Sequence, residues 1–570
     1  MANEDRLSRL RQQLGLTESD LPDDDLPVVL NSLLVSATRD KDPRNTLQAV
    51  KDALIATALL PEIEVFTSLP ILLPCADDAA DDVLTALAEE CSGKEMIIAL
   101  QEAVERLSNN LTSISDDDDD ERTESNGPEE AETSRQVLRL IKLYTKVLPR
   151  LSKGKKTPAQ IICPPISQLE GLLYAVAPTF AEKEVNALVQ GVTALIVSAA
   201  AWAGTDDDVK NLLYTFATAT LQACADKLGT DVATRAFEEQ FPRLRMSNAA
   251  STSAEQQTPV TELSNTLLSL GINIPPNQQH NAVGTLILLA YTYSPAVPLS
   301  LTTLQANLPA LLASFQSGTA VPSALALLIR TLGPLISQSP RPSIPEDLLA
   351  TLTSLLPSVA SLHPDPALRH ITFRVLSLIL SLAPPIIRLH LLRDLVSPAP
   401  AGEEGQPWAG DGMQVASVGL VKEAVLEALS PTAPGGANNV FASTMFVRTL
   451  APVLFVARLP EPSQNPETDL EEFLESPEPL RLVEVFGLYF ILVKRDVQNK
   501  TGIREPDVIN TVQANLLHPV KKRLREWDNV TLQHDDHSKL RLDILEIWLT
   551  RIEEAVQSVE AERANTGGQM

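Results

Sequence analysis

Apolar residues in this chain recur at intervals of three and four rather than two, and that spacing constrains the fold more than any other feature. Between Arg135 and Leu151, the residues Val137, Leu140, Ile141, Tyr144, Val147, Leu148 and Leu151 fall on one side of a 3.6-residue helix. Arg139, Lys142, Lys146 and Arg150 fall on the other side. The same stripe returns near the end in Leu545, Trp548, Leu549, Ile552, Ala555, Val556 and Val559. Thr205, followed by three aspartates before Val209, reads as a capped helix start, because carboxylates favour the positive end of the helix dipole. No comparable run of alternation marks a strand, so the spacing predicts an all-α protein.

Prolines indicate how such helices are joined, since a proline is disfavoured in a helix interior and belongs in the first turn or beyond the end. Leucine-rich segments meet prolines repeatedly: SLPILLP (68–74), KVLPRL (146–151), NLPALLASF (307–315), LGPLIS (332–337), SLLPSVASL (354–362) and LAPVLF (450–455). Several of these spacings approach one helix plus a turn. At 570 residues the chain has length for about four ordinary domains or one long array. Irregular arrays of paired helices match this pattern, and the expected fold is a HEAT-like α-solenoid. Residues 260–400 contain only 11 charged side chains, so they are expected to be sandwiched between neighbours.

Apolar period is lost at 113–134, 247–259, 397–412, 431–439 and 460–479. The expected organisation is an N-terminal helical cap at 1–39, partly flexible, then N-terminal helical repeats at 40–245 interrupted by a disordered acidic loop at 113–134. A linker at 246–259, C-terminal repeats at 260–560 and a disordered tail at 561–570 complete it. The acidic loop carries Asp116 to Glu121 and almost nothing apolar, so it cannot bury enough surface to offset chain entropy. It serves either as a solvated linker or as an acidic docking segment.

Charge narrows the function. The net formal charge is -27, and residues 1–135 hold 31 acidic against 11 basic side chains. Phosphate-bearing surfaces are repelled by such a field, so neither nucleic acid nor an anionic membrane is an expected partner. The apolar run Val185 to Ala203 carries Asn186 and Gln190 and is largely alanine, which favours a buried core helix over a membrane span. The opening MANEDRLSRL is charged throughout and has no apolar signal core, so the expected location is cytoplasmic, with the nucleus as a second compartment.

Residues suited to catalysis are sparse. The lysines at 153, 155 and 156 lack the upstream glycine of a phosphate-binding loop, and no serine or cysteine sits in a nucleophile elbow. His534 and His537 could offer metal ligands, yet without a third partner they read as a solvated turn. Cys75, Cys91, Cys163 and Cys224 contain no CxxC pair; Cys75 and Cys91 read as packing thiols. No enzyme activity, cofactor or metal is expected.

One region stands apart. Residues 483–493 (VEVFGLYFILV) are the most aromatic part of the chain, and between Lys494 and Arg525 eight basic side chains face three acidic ones. Either these cations complement the negative end of a helix closed at Gly502 in a left-handed cap, or they form an edge that accepts an acidic or polar protein partner. The second reading selects Lys494, Arg495, Gln498, Asn499, Lys500, Thr501, Gly502, Arg504, Lys521, Lys522 and Arg525 as partner-binding residues, with Lys494, Arg495, Lys500 and Arg504 facing solvent.

The run Leu488-Tyr489-Phe490-Ile491-Leu492-Val493-Lys494-Arg495-Asp496-Val497-Gln498-Asn499-Lys500-Thr501-Gly502-Ile503, followed by Asn515-Leu516-Leu517-His518-Pro519-Val520 and a closing amphipathic helix, resembles the C-terminal signature of the YAP-binding/glomulin family. The likeness is strongest over 480–560 and weaker over 44–105. It implies a HEAT-like scaffold without catalytic activity, with partner contacts on the C-terminal half. The partner it implies is the RING subunit of a cullin-RING ubiquitin ligase or, in the fungal branch, a redox-regulated bZIP transcription factor in the oxidative stress response, or a kinetochore role.

Overall fold

In the computed structural model the described residues are all except 1, 18–25, 41, 117–126, 205, 230, 245–257, 273–281, 293–299, 339–340, 399–410, 431–438, 463–464, 532–535 and 568–570. Among the described residues the secondary structure is helical, with no strand, which is the all-α, solenoid-like fold that the spacing predicts. The chain packs as two compact units, one of residues 1–235 with 247–327 and the other of residues 236–246 with 328–570.

The first unit contains α1 (Ala2–Leu14), α2 (Leu26–Arg39), α3 (Leu47–Thr57), α4 (Val65–Leu72), α5 (Ala79–Glu90), α6 (Gly93–Asp116), α7 (Gly127–Val147), α8 (Pro158–Val176), α9 (Glu182–Ala203) and α10 (Asp207–Ala223). Each of α1 to α8 packs on the helix two places further along: α1 on α3, α2 on α4, and so on to α8 on α10. That rule separates odd from even helices into two layers, the arrangement of a solenoid built from paired helices. After α11 (Asp231–Gln240), where the chain passes between units, come α12 (Pro259–Ser269), α13 (Ala282–Thr292), α14 (Leu301–Ala306), α15 (Leu308–Ser317) and α16 (Val321–Ile336), which carries the second passage. Helix α9 buries Val185, Leu188, Val189, Val192, Leu195 and Ile196 against its neighbours α7, α10 and α12. That stripe packs into the core, while Gln190, Ala194, Val197 and Ala201 on the remaining face are exposed. Helices α10 and α13 approach so closely that a Cβ added to Gly284 would lie 1.9 Å from the carbonyl oxygen of Thr218.

The second unit contains α17 (Glu346–Leu362), α18 (Pro366–Leu382), α19 (Pro385–Val396), α20 (Asp411–Ala428), α21 (Thr444–Leu454), α22 (Pro466–Glu475), α23 (Glu478–Arg495), α24 (Pro506–Val512), α25 (His518–Thr531) and α26 (Asp536–Gly567). The aromatic run lies in α23, which is buried almost all round by α20, α22 and α26. Phe490 meets Trp548 of α26 edge-on, with ring centroids 5.9 Å apart.

Four readings of the sequence need correction. Pro70, Pro334, Pro357 and Pro452 lie inside helices α4, α16, α17 and α21 rather than at their ends. An interior proline costs about 3 kcal/mol. A buried leucine contributes about 1.5–3 kcal/mol; Pro70 and Pro452 each lie between two, Leu69 with Leu72 and Leu450 with Leu454, while Pro334 and Pro357 lie beside Leu332 and Leu356. The expected unstructured loop at 113–134 is helical at both ends, to Asp116 in α6 and from Gly127 in α7; residues 117–126 lie outside the described residues. Helix α26 continues through most of the tail expected at 561–570, leaving only 568–570 outside the described residues. The cap of α10 is Asp206, whose carboxylate accepts from Asp208 N at 3.0 Å; Thr205 is outside the described residues, as are His534 and most of the linker 246–259.

Arg139 is the most instructive difference. It sits on the face of α7 expected to be wet, yet is 4% exposed. Its guanidinium donates to the carbonyls of Leu72 (3.1 Å), Leu73 (2.9 Å) and Cys75 (2.6 Å) at the end of α4, and to Asp81 Oδ1 at 2.7 Å. The last four carbonyls of a helix have no internal partner, and a forked cation satisfies several at once. The device recurs: Arg44 donates to Gly15 beyond α1, Arg150 to Ala88 and Cys91 at the end of α5, and Arg369 to His363 beyond α17. Arg458 serves Val396 at the end of α19, Arg481 serves Leu454 and Val456 at the end of α21, and Arg541 serves Leu474 in α22.

Candidate protein-interaction surface

Helix α23 stops at Arg495, and the residues after it wrap around one carboxylate. Asp496 is 2% exposed and accepts hydrogen bonds from Lys500 N (2.8 Å), Thr501 N (2.7 Å) and Thr501 Oγ1 (2.7 Å). Asn499 adopts a left-handed φ of 52°, which asparagine tolerates better than most side chains, and Gly502 a φ of 77°. Asn499 Oδ1 accepts from Arg504 N at 2.9 Å, and its Nδ2 donates to Glu505 Oε1 at 2.7 Å. Ile503 is fully buried. The left-handed glycine is where the sequence places it, but α23 ends seven residues earlier, and the intervening turn is organised by a carboxylate that was not among the expected site residues.

This arrangement divides the eleven expected partner-binding residues. Lys494, Arg495, Gln498 and Lys500 are exposed around the turn. Thr501 and Gly502 are buried within it, and Asn499 braces it from the side. Arg504 does not face solvent: it is 9% exposed, donating through Nε to Val493 O at 2.9 Å and reaching Glu562 Oε2 of α26 at 3.4 Å. It caps the end of α23 as the other arginines cap theirs. The physical reason is the same orphaned carbonyl end.

The remaining three lie on α25. Lys521 contacts Glu553 of α26 at 2.5 Å, and Lys522 lies 3.9 Å from Glu526. With His518 and Glu526 they and Arg525 line a shallow concavity to which no residue of the turn contributes. Glu553 and Glu562 are nine residues apart on α26, about 14 Å along an ideal helix and half a turn around it. Lys521 and Arg504 therefore meet α26 about half a turn apart, and with the α25 cations lining their own concavity the basic residues between 494 and 525 form two sites rather than one edge. Arg523, the eighth basic side chain of that stretch, is nearly buried, pairing with Asp469 at 3.2 Å and lying 5.7 Å over the ring of Trp527.

Two turns before its end, α23 is packed on aromatic side chains. Tyr489 is fully buried against Phe455, with ring centroids 5.3 Å apart, and burial pushes its phenol well above the ordinary range, with Glu560 adding to the effect. Among the described residues no group of three or more metal-binding side chains converges. What the geometry offers is a rigid cationic projection on a solid helical base.

A family model described as "Uncharacterised protein family, YAP/Alf4/glomulin" matches residues 247–569, more than half of the chain and including α23 to α26. The chain belongs to this family. The matched span contains the signature at 488–520 and does not reach 44–105. No curated protein matches the chain. Membership in the YAP/Alf4/glomulin family carries a protein-interaction role for a helical scaffold.

Proposed function

We propose that this family member is a non-enzymatic adaptor, cytoplasmic with access to the nucleus, whose C-terminal unit binds the RING subunit of a cullin-RING ubiquitin ligase. The observation that carries the reading is the end of α23 with the turn after it, which together display Lys494, Arg495 and Lys500 in a chain whose net charge is -27. Cations held at a helix end and on the turn that closes it steer an acidic protein surface and set its register, while the acidic remainder of the molecule discourages polyanions.

The experiment is association of the full chain with a purified cullin-RING core. Wild type forms a one-to-one complex, and the double variant Lys494→Glu, Arg495→Glu associates at least tenfold more slowly in 0.01 M salt. The difference shrinks at 0.15 M, where the Debye length falls from about 30 Å to about 8 Å. Absence of a wild-type complex overturns the RING partner; equal association of the double variant overturns the role of the turn.

A further inference from the structure

Resting on the adaptor reading, we propose that residues 496–502 form a pre-organised knuckle whose tip, Val497, inserts into an apolar depression on the partner protein. The rim of that depression is acidic and pairs with Lys494, Arg495 and Lys500. Val497 is 70% exposed, more than any other large apolar side chain among the described residues. A lone exposed valine is ordinary. This one differs because the turn beneath it is pinned by the Asp496 carboxylate, the Asn499 amide and the left-handed Gly502. The conformational entropy of that turn is already lost in folding, so association loses less.

The ligand class follows from what the knuckle shows and hides. Its one carboxylate within 496–502, Asp496, is buried, and the Glu505 carboxylate beside it is held by the Asn499 amide, leaving Val497 exposed among Lys494, Arg495, Gln498 and Lys500. The complement is an apolar hollow bordered by Asp and Glu, the pattern in which a central anchor contributes affinity while the rim excludes water. An anionic lipid surface would meet the same cations. A single valine, however, offers only a few CH2 equivalents at about 0.8 kcal/mol each, and the net charge of -27 repels such a surface.

The test places photoreactive benzoyl-phenylalanine at position 497 of the full chain in its native cell, with the same group at exposed Leu480, at the far end of α23, as control. The expected result is one discrete adduct at 497, mapped to an apolar partner peptide flanked by Asp or Glu. It falls at least tenfold in Lys494→Glu, Lys500→Glu and in Asp496→Asn, and is absent at 480. In parallel, Val497→Asp raises the Kd for the cullin-RING core about tenfold or more. Being on an exposed side chain, that change leaves the fold intact even if Asp496→Asn does not. If wild type fails to bind the RING core while the 497 adduct forms as described, the RING partner is lost and the knuckle stands. The knuckle is overturned by no adduct at 497, an equal adduct at 480, indifference to charge reversal, or, where wild type binds the RING core, unchanged RING affinity of Val497→Asp. Retention on phosphatidylserine vesicles that Val497→Asp abolishes also overturns it, in favour of a membrane.

Discussion

Replacing Asp496 by alanine should loosen the turn after α23 without unfolding the unit that carries it. The carboxylate accepts three hydrogen bonds of 2.7–2.8 Å, two of them from Thr501, which is fully buried. Bonds to an ionised acceptor contribute about 1.5–3 kcal/mol each, and a buried donor left unmatched costs about 1–3 kcal/mol. Water can reach Lys500 N–H but not Thr501, and removing the carboxylate relieves its own desolvation. The expected local cost is therefore about 2–5 kcal/mol rather than the full sum. With two compact units, a global unfolding curve would mix contributions. The appropriate assay is hydrogen exchange on peptides spanning 496–505, where 2 kcal/mol corresponds to roughly thirtyfold loss of protection. Asp496→Asn should fall between wild type and alanine, since its amide oxygen can serve one donor. Unchanged protection of Thr501 in Asp496→Ala would refute the claim that this carboxylate organises the turn.

Gly284→Ala should destabilise the first unit by about 1–3 kcal/mol in thermal melts, because its Cβ meets the Thr218 backbone. Gly171→Ala, with nothing within 4 Å, should be neutral or stabilising. Arg139→Met should cost about 3–5 kcal/mol by removing the side-chain donor from the Leu73 and Cys75 carbonyls and leaving Leu72 O only the Cys75 N–H, whereas exposed Lys142→Ala should stay within about 0.5 kcal/mol. Burial pushes the Cys91 thiol up to about 11, despite Arg150, and the Cys224 thiol up to about 12. An alkylating reagent at pH 8 should therefore label exposed Cys163 first and reach those two only on unfolding. Since both folded values lie above the ordinary thiol value of 9.0, the stability they contribute is present below pH 9 and lost as pH rises towards 11 and 12.

The spacing of Val137 to Leu151 was enough to place α7, because a stripe seven residues wide has no other economical use. It does not place Arg139, because a charge on a helix face is satisfied by orphaned carbonyls as well as by water. Interior prolines misled for a related reason: local preference of about 3 kcal/mol is visible in sequence, and the burial that overrides it is not. In the candidate site, the cations and the left-handed glycine were legible. Asp496 was missed, although a carboxylate directly after an apolar helix and before Asn, Thr and Gly carries the signature of a side chain folding its own backbone. The division of the cations by α26 could not be read at all, because it depends on which faces of α26 meet α23 and α25.

The arginines at helix ends bear on how this sequence can drift. Exchanging arginine for lysine preserves formal charge and is commonly treated as conservative, yet an ammonium has one nitrogen, so it cannot hold Leu454 and Val456 from two nitrogens as Arg481 does, nor join Asp81 to the end of α4 as Arg139 does through Nε and Nη1. Surface lysines such as Lys142 and Lys522 carry no such obligation. Among descendants of this chain, lysine positions should wander and interchange with glutamine or glutamate, while the capping arginines stay arginine even where the helices around them diverge. In saturation mutagenesis, tolerance to lysine would then single out which cations serve the outside of the protein and which belong to its frame.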